Sequence, residues 1–287
     1  MTGDPFVTHR SLLFTVAYEM LGSAVEAEDI VQETWLRWAG VDQSQVQDPR
    51  AYLVQVVTRQ ALNRLRSLSR RREEYVGEWL PEPLLTGPDV ADDIALAESV
   101  SIAMLTVLET LGPAERAVFV LHEVFETPYD EIAEAMSKTP AAVRQIAHRA
   151  REHVAARRPR MQVDRTQQQA AVDKFMAAVA TGDLEGLVAV LAPDVVLITD
   201  GGGLAEAARR PIAGVRKVAS FLSRAAGYGD MVTIATWLNG MPGTLIEVAG
   251  SPTAVSLVVE NDRITRIYAI RNPQKLGRLE KLTELRR

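Results

Sequence analysis

Residues 128–157 read PYDEIAEAMSKTPAAVRQIAHRAREHVAAR, and this stretch decides the fold of the middle of the chain. Proline opens each half, at Pro128 and Pro140, where its missing N–H costs no helical hydrogen bond. Thr139 is placed to cap the second helix. Two short helices joined by a turn of about three residues predict a helix-turn-helix.

The second helix of this motif has one apolar side and one polar side. The apolar side is a single stripe at helical spacing, formed by Val143, Ala147, Ala150 and Val154. The polar side carries side chains that pair with base edges and phosphates, namely Arg144, Gln145, His148, Arg149 and Arg151. This pattern predicts a DNA-reading helix, and a similar motif that binds protein is the alternative.

The N-terminal part is predicted to be all helical, with two helices between Ser11 and Trp38 and a third that begins at Pro49. The third ends in an arginine run, since residues 59–72 hold six arginines and no acid. Residues 144–160 hold six more against a single glutamate. Charge acts within about 8–10 Å, so these local patches matter more for phosphate binding than the net charge of −5. We predict Trp35 in the core, with Trp38 and Tyr52 either buried or available for stacking on bases.

Residues 76–94 contain three prolines and two glycines without periodicity, which is typical of a linker. Its apolar residues, including Trp79 and Leu80, predict that it docks on a surface, either within the chain or on a partner. A partly ordered linker with chance apolar residues is the alternative.

The last part of the chain predicts an α+β domain with a curved antiparallel sheet. Helices at about 167–180 and after Gly182 precede a strand at 195–199, and a further helix precedes strands at 231–238, 244–248, 255–259 and 264–270. Turns are expected at residues 239–240, 251–252 and 261–262. The first strand ends in Asp200-Gly201-Gly202-Gly203, for which a local Asx turn, an interdomain contact and a catalytic acid are all open.

Composition excludes several classes of protein. The chain of 287 residues suggests two or three domains, and its zero cysteines exclude disulfides, thiolate nucleophiles, cysteine zinc sites and iron–sulfur clusters. His148 and His153 lie off one helical face, so we expect no metal site and no cofactor. The sequence has no signal-peptide pattern and no long apolar run, so we expect a cytoplasmic protein without a membrane partner.

Two motifs in order identify a resemblance. Residues 29–35 (DIVQETW) and residues 111–119 (LGPAERAVF) resemble regions two and four of bacterial extracytoplasmic-function (ECF) RNA polymerase sigma factors. The runs at 79–84, 200–203 and 272–276 resemble the sigma-J-type subgroup, which carries a fused C-terminal SnoaL-like domain. The resemblance implies a region-two helical domain at 1–75, a linker at 76–94, a region-four helix-turn-helix domain at 95–160 and a SnoaL-like α+β cone at 165–287.

By the resemblance, the chain would direct promoter-specific transcription initiation in a stress response, binding the β′ clamp and β flap of core RNA polymerase. The implied polymerase-binding residues are Asp29, Gln32 and Glu33. The implied minus-ten residues are Tyr52, Arg59, Asn63, Arg64 and Arg66, with Arg59 standing where several family members have Asn. The implied minus-thirty-five residues are Thr139, Arg144, Gln145, His148, Arg149 and Arg151. The implied interdomain regulatory residues are Trp79, Leu80, Pro81, Asp200, Gly201, Gly202, Gly203, Asn272 and Pro273.

For the C-terminal domain we expect regulation of the sigma regions rather than catalysis. It has no histidine or cysteine, which leaves few groups for general acid–base chemistry. A competing hypothesis is a small-molecule sensor whose apolar pocket is lined by Phe221, Trp237, Ile246 and Tyr268. The alternative for the whole chain is a helix-turn-helix regulator fused to a ligand-binding or isomerase-like domain, which would bind operator DNA without polymerase.

Overall fold

A computed structural model describes residues 4–158, 165–224, 231–248 and 250–287, without the side chains of residues 69–73, 165 and 248. The first helices are α1 (Pro5–Leu21), α2 (Ala24–Ala39) and α3 (Pro49–Glu73). Asp4 caps α1, and Gly22 ends it with a left-handed φ of 65°. None of the helices in these described ranges is long and apolar enough to cross a bilayer. Of the two arginine runs, Arg160 and the side chains of Arg70, Arg71 and Arg72 lie outside the described residues.

The prediction that Trp35 of α2 lies in the core is wrong. Trp35 is 45% exposed, whereas Trp38 is 1% exposed and donates its indole N–H to Asp4. The ring of Tyr52 packs beside Trp38 at 5.8 Å between centroids. Trp38 lies eight positions after the buried Ile30, on the side of α2 that faces α1 and α3. Trp35 does not lie on this side.

The helix-turn-helix prediction is confirmed. The helices of this part are α4 (Pro88–Asp92), α5 (Ile94–Val100), α6 (Ile102–Leu108), α7 (Pro113–Phe119), α8 (Tyr129–Met136) and α9 (Pro140–Ala155). Ser137 makes the turn with a φ of 53°, and the Thr139 hydroxyl caps α9 by accepting from Ala142 N at 3.2 Å. The predicted apolar stripe of α9 is buried, from Val143 to Val154.

One hydrophobic cluster runs through both helical parts of the chain. It includes Leu13 and Leu53 from the first part and Leu105 and Val118 from the second. The two parts therefore pack against each other, with α3 in contact with both α7 and α8.

The C-terminal part is α+β, as predicted, with a six-stranded sheet ordered β2-β1-β6-β5-β4-β3. Its elements are α10 (Arg165–Thr181), α11 (Leu184–Val190), β1 (Leu191–Asp200), β2 (Ile212–Ala213), α12 (Val215–Ser223), β3 (Met231–Leu238), β4 (Met241–Val248), β5 (Ser251–Glu260), β6 (Arg263–Ile270) and α13 (Pro273–Leu276). Ser251 and Pro252 begin β5 rather than forming a turn, and a proline is tolerated at a strand start.

The sheet differs from the predicted antiparallel meander at one pairing, because β1 and β6 are parallel. Asp200 is paired with Ile270, so both strands end at the same edge of the sheet. The Asp200 carbonyl accepts from the N–H groups of Arg271 and Asn272 at 2.7 and 3.0 Å. This pairing brings the Asp200 turn to the segment that follows β6.

The two faces of the sheet have different neighbours. One face packs under α10, α11 and α12 and includes Leu257 and Ile267. The other packs with Leu80 of the linker and Ile102 of α6, and Tyr268 belongs to this face. Phe221 and Ile246 pack on the helical face, so the expectation of one pocket lined by them together with Tyr268 is wrong. Because side chains alternate between the two faces of a strand, Ile246 and Tyr268 lie on opposite faces of the sheet, and the sequence analysis did not predict this separation.

The segment after α13, residues 277–287, returns to the first helices. Arg278 donates to Ala24 O at 3.1 Å, and Arg286 N donates to the Thr15 hydroxyl at 3.1 Å. Thr283 N donates to Leu85 O at 2.8 Å, and Leu285 is buried in the helical core. The C-terminal domain therefore contacts the N-terminal helices through its sheet and through this segment.

Candidate functional site

Residues 76–87, which we call the extended linker, are bound near one end by Asp200. The Asp200 side chain is fully buried. One carboxylate oxygen accepts from the Tyr75 hydroxyl at 2.6 Å, and the other accepts from Leu80 N at 2.9 Å and Lys275 Nζ at 2.7 Å. Burial, followed by the hydrogen bond to Asp200, raises the pKa of Tyr75. The structure places Asp200 in an interdomain contact, one of its three predicted alternatives.

Lys275 completes this contact and was not among the predicted site residues. Its ammonium also donates to Leu80 O at 2.5 Å and lies 4.0 Å from the centroid of the Trp79 ring. A buried ion pair is favourable only when further hydrogen bonds satisfy both charges, and Leu80 supplies them. Lys275 lies in the run at 272–276 that carried the resemblance, and its positive charge could have indicated a partner for Asp200.

Backbone shape allows the linker to come this close. Gly202 has a φ of 59°, and a Cβ there would overlap the Asn272 side-chain amide, which donates to the Tyr75 hydroxyl at 2.7 Å. Gly203 lies against Val76, and Gly201 is buried. Asn272 caps α13 at Gln274 N, and Pro273 is exposed in its first turn. Within the linker, Pro81 is buried and Trp79 is half-buried.

A second, neutral contact binds the other end of the extended linker. Asn239, in the β3–β4 turn, has a φ of 54° and is fully buried. Its side chain accepts from Leu84 N at 2.9 Å and donates to the Tyr18 hydroxyl and to Val100 O at 2.7 and 2.9 Å. Asn239 thus joins the linker, α1 and α5. The sequence indicated only a hairpin turn here.

Glu82, between these two contacts, binds the start of α2. Its carboxylate accepts from Ala24 N at 2.7 Å and from the Ser23 hydroxyl at 3.0 Å, where the helix dipole favours negative charge. The Tyr18 hydroxyl donates to Glu82 O at 2.6 Å, and burial raises the pKa of Tyr18. The linker therefore connects α1, α2 and the sheet.

Two buried ionisable residues, Glu19 of α1 and Arg116 of α7, lie next to each other. Arg116 is 1% exposed, donates to Glu19 O at 2.9 Å and pairs with Glu109. The Glu19 carboxyl accepts from the Ser99 hydroxyl at 2.8 Å, and its other oxygen has no hydrogen-bond partner among the described residues. Burial raises the pKa of Glu19 to about 8, so this carboxyl carries a proton near neutral pH. Burial also lowers the pKa of the Arg116 guanidinium.

The residues predicted to bind polymerase lie together on α2. Asp29, Gln32 and Glu33 are exposed on one side of the helix, next to Trp35 and Leu36. One of them, Glu33, is also paired with Arg64 of α3 at 3.2 Å.

The predicted minus-ten residues all lie on α3, and most of them are engaged within the chain. Arg59 donates from its guanidinium to Ala135 O and Glu134 O of α8, each at 3.1 Å. Arg64 pairs with Glu26 at 2.6 Å, and Tyr52 packs against the helical core. Asn63 and Arg66 are exposed. The structure therefore brings this set onto one helix but leaves only part of it accessible.

The predicted minus-thirty-five residues are exposed along α9. Arg144 and Gln145 form no hydrogen bond or ion pair with another side chain within the described ranges. Arg149 pairs with Glu115 at 3.3 Å, and Arg151 with Glu123 at 3.0 Å. His148 faces Glu152, and Thr139 caps the helix. Across the described residues, no group of three His, Cys, Asp or Glu side chains is placed to hold a metal ion.

Comparison with known proteins decides the family. Residues 6–71 match the family model "Sigma-70 region 2", and residues 101–154 match "Sigma-70, region 4". The ECF RNA polymerase sigma factor SigJ of Mycobacterium tuberculosis is 38% identical, over 96% of this chain and 93% of SigJ. The chain belongs to the ECF RNA polymerase sigma factor family. This sigma factor also matches the probable ECF RNA polymerase sigma factor SigI of the same species at 33% identity over 94% of this chain and 93% of SigI.

The fold of this sigma factor agrees with that of a solved relative. The crystal structure of M. tuberculosis SigJ superposes with a TM-score of 0.77 at 35% identity, over 96% of this chain and 98% of SigJ. The predicted architecture is confirmed: two helical sigma regions are followed by an α+β domain. This sigma factor binds core RNA polymerase and directs transcription initiation from promoter DNA.

Proposed function

We propose that this sigma factor regulates itself, with its SnoaL-like domain holding the two sigma regions in a closed arrangement that must open for promoter engagement. The observation that carries the proposal is the double attachment of the extended linker, through Asp200 and Lys275 at one end and Asn239 at the other. These bonds act on the segment that joins the two DNA-binding regions. In the closed arrangement Arg59 is occupied by α8.

Within this proposal the exposed face of α2, with Asp29, Gln32 and Glu33, docks on the β′ clamp of the polymerase, and region four contacts the β flap. Residues of α3 hold the minus-ten element, and α9 reads the minus-thirty-five element. The acidic α2 face and the basic α9 face support this division, since clamp docking and phosphate binding need opposite charge. We place the protein in the cytoplasm, where core polymerase meets the chromosome.

We further propose that the SnoaL-like domain acts by binding alone. Its buried acid Asp200 is used in an ion pair with Lys275, which leaves it no role as a proton carrier. Burial raises the pKa of Tyr268 to about 12, and this residue packs against the sigma side of the sheet. The ligand-sensor alternative loses support because Tyr268 is on the opposite face from Phe221 and Ile246.

Run-off transcription with purified core polymerase tests the closure proposal. Asp200→Asn keeps the shape of the side chain but removes the charge that binds Lys275. We expect more transcript at equal protein concentration. Asp194→Asn, at an exposed carboxylate of the same strand, is the matched control and should leave the yield unchanged. Equal yields from Asp200→Asn and wild type would contradict the proposal.

Distance measurements separate opening from loss of structure. The chain has no cysteine, so cysteines introduced at the exposed Gln43 and Ala156 can be labelled without background. Energy transfer between these labels should fall in Asp200→Asn and, in the wild type, when core polymerase is added. A thermal melt checks that both variants remain folded.

A further inference from the structure

The SnoaL-like domain carries a cluster of exposed basic residues that the sigma activity does not use. We call it the basic groove; its charged members are Arg209, Arg210, Arg216, Lys217 and Arg224. Over residues 204–224 these five cations face a single acid, Glu206, although the chain as a whole has a net charge of −5. The excess of positive charge is therefore local to this surface.

The groove follows one side of α12. Arg216, Lys217, Ser220 and Arg224 line it above the apolar floor of Ile212 and Phe221. Arg209 and Arg210 come just before β2, which contributes Ile212. From Arg216 to Arg224 the helix axis rises by about 12 Å, which matches the axial rise of roughly three to four phosphates on one DNA strand.

These cations have no acidic partner in the described part of the chain. Their side chains form no ion pair with a described carboxylate, and Arg224 donates only to Ser220 O of its own helix. Several exposed or half-buried arginines elsewhere are paired, for example Arg64 with Glu26 and Arg151 with Glu123. The groove also lies on the helical side of the sheet, away from the face that packs on α6 and the linker. It is therefore free to meet a third partner while the domain stays docked.

We propose that the basic groove is a sequence-independent contact to the backbone of duplex DNA beside the promoter elements. A row of separated cations on an open surface matches repeating phosphates better than one small anion, which is usually enclosed by converging groups. Duplex DNA is favoured over an anionic lipid surface because this sigma factor engages promoter DNA, so duplex is already held on the same molecule.

The test compares two full-length triple variants. Arg216→Gln with Lys217→Gln and Arg224→Gln removes the charge, whereas Arg216→Lys with Lys217→Arg and Arg224→Lys retains it. The probe is a short fluorescent duplex without promoter sequence, titrated by anisotropy over a range of salt concentrations. We expect the neutral variant to bind at least about tenfold more weakly at low salt, with its log–log salt slope reduced by about 2–3. The charge-retaining variant should bind like the wild type.

Equal salt slopes for wild type and the neutral variant would overturn the proposal. So would a loss of binding that is confined to inorganic phosphate or to phosphatidylserine vesicles, each measured with the same proteins. All three side chains are exposed, so thermal melts should coincide. Transcription by Asp200→Asn is scored separately, so failure of this proposal is distinguishable from failure of the closure proposal.

Discussion

Two arginine-rich helices of this sigma factor, α3 and α9, look alike in sequence but differ in the folded chain. On α3, Arg59 donates to α8 and Arg64 pairs with Glu26. On α9, Arg144 and Gln145 point away from the protein, with no side-chain partner among the described residues. The chain therefore exposes its proposed minus-thirty-five surface, while part of its proposed minus-ten surface is covered. The closure proposal accordingly predicts that the two recognition steps differ in their need for opening.

The largest effect on the proposed closed arrangement is expected from breaking the contact between Asp200 and Lys275. Lys275→Met leaves Asp200 buried without its counter-charge, which costs about 3–5 kcal/mol of folding free energy. Urea unfolding measures this loss. Lys281→Met, at an exposed lysine of the same C-terminal segment, should change stability by less than about 0.5 kcal/mol. Similar midpoints for the two variants would show that the ion pair contributes little to closure.

A pH dependence should follow from Glu19, which lies on α1 beside Arg116 of α7. Its pKa is about 8 in the folded chain and near 4.5 when unfolded, so the folded state holds a proton that the unfolded state releases between these values. The resulting stability is full below about pH 4.5 and is lost as pH rises through about 8.

Glu19→Gln, which is neutral at every pH, should flatten this dependence by up to about 5 kcal/mol between those limits. Urea unfolding at a series of pH values measures the slope. Glu131→Gln, at an exposed glutamate of α8, is the control and should retain the wild-type slope. A wild-type slope in Glu19→Gln would exclude this carboxyl as the titrating group.

Removing one arginine from each of α3 and α9 tests the difference between the two helices directly. Arg144→Ala should weaken binding to a minus-thirty-five duplex by about 1–3 kcal/mol, since a base contact is lost. Arg59→Ala should leave this affinity unchanged, because Arg59 contacts α8 and not the duplex in the closed chain. Gel-shift titration without polymerase measures both. Equal losses in the two variants would contradict the difference between α3 and α9.

The smallest stability effect is expected at Trp35. Its ring is 45% exposed beside Gln32, so Trp35→Ala should change the unfolding free energy by less than about 0.5 kcal/mol. Binding to core polymerase should nevertheless weaken, since an exposed aromatic ring adjoins the proposed clamp-binding face. Val25→Ala, at another exposed apolar residue of α2, should affect neither measurement. A destabilised Trp35→Ala protein would show that this ring belongs to the core.

The parts of the site that were predictable share a local signal. The apolar stripe from Val143 to Val154 and the cap at Thr139 are set by residues close together in the sequence, and α9 forms as these signals predict. The glycines after Asp200 indicated a close backbone approach, and Gly202 makes one with Asn272. What they could not indicate was the partner, because Leu80 and Tyr75 lie more than a hundred positions away.

The residues that were missed are ordinary in their local context. Asn239 lies in an Asn-Gly turn, and its positive φ is enough to account for an asparagine at this position. Its side-chain amide nevertheless joins three distant elements. Glu19 and Arg116 lie in helical stretches where charged residues usually face solvent, and only tertiary packing buries them. Trp35 and Trp38 are three positions apart, so a small error in helical phase wrongly placed Trp35 in the core.

For this sigma factor the sequence alone determined the helices, the helix-turn-helix, the α+β domain and the two arginine runs, because hydrophobic period, caps and charge are properties of near neighbours. Tertiary structure decided which arginines are covered, which tryptophan is buried and where Asp200 finds its cation. Arg59 meets α8 across 76 positions and Lys275 meets Asp200 across 75. Contacts of this range depend on how whole elements pack, and no local pattern records that.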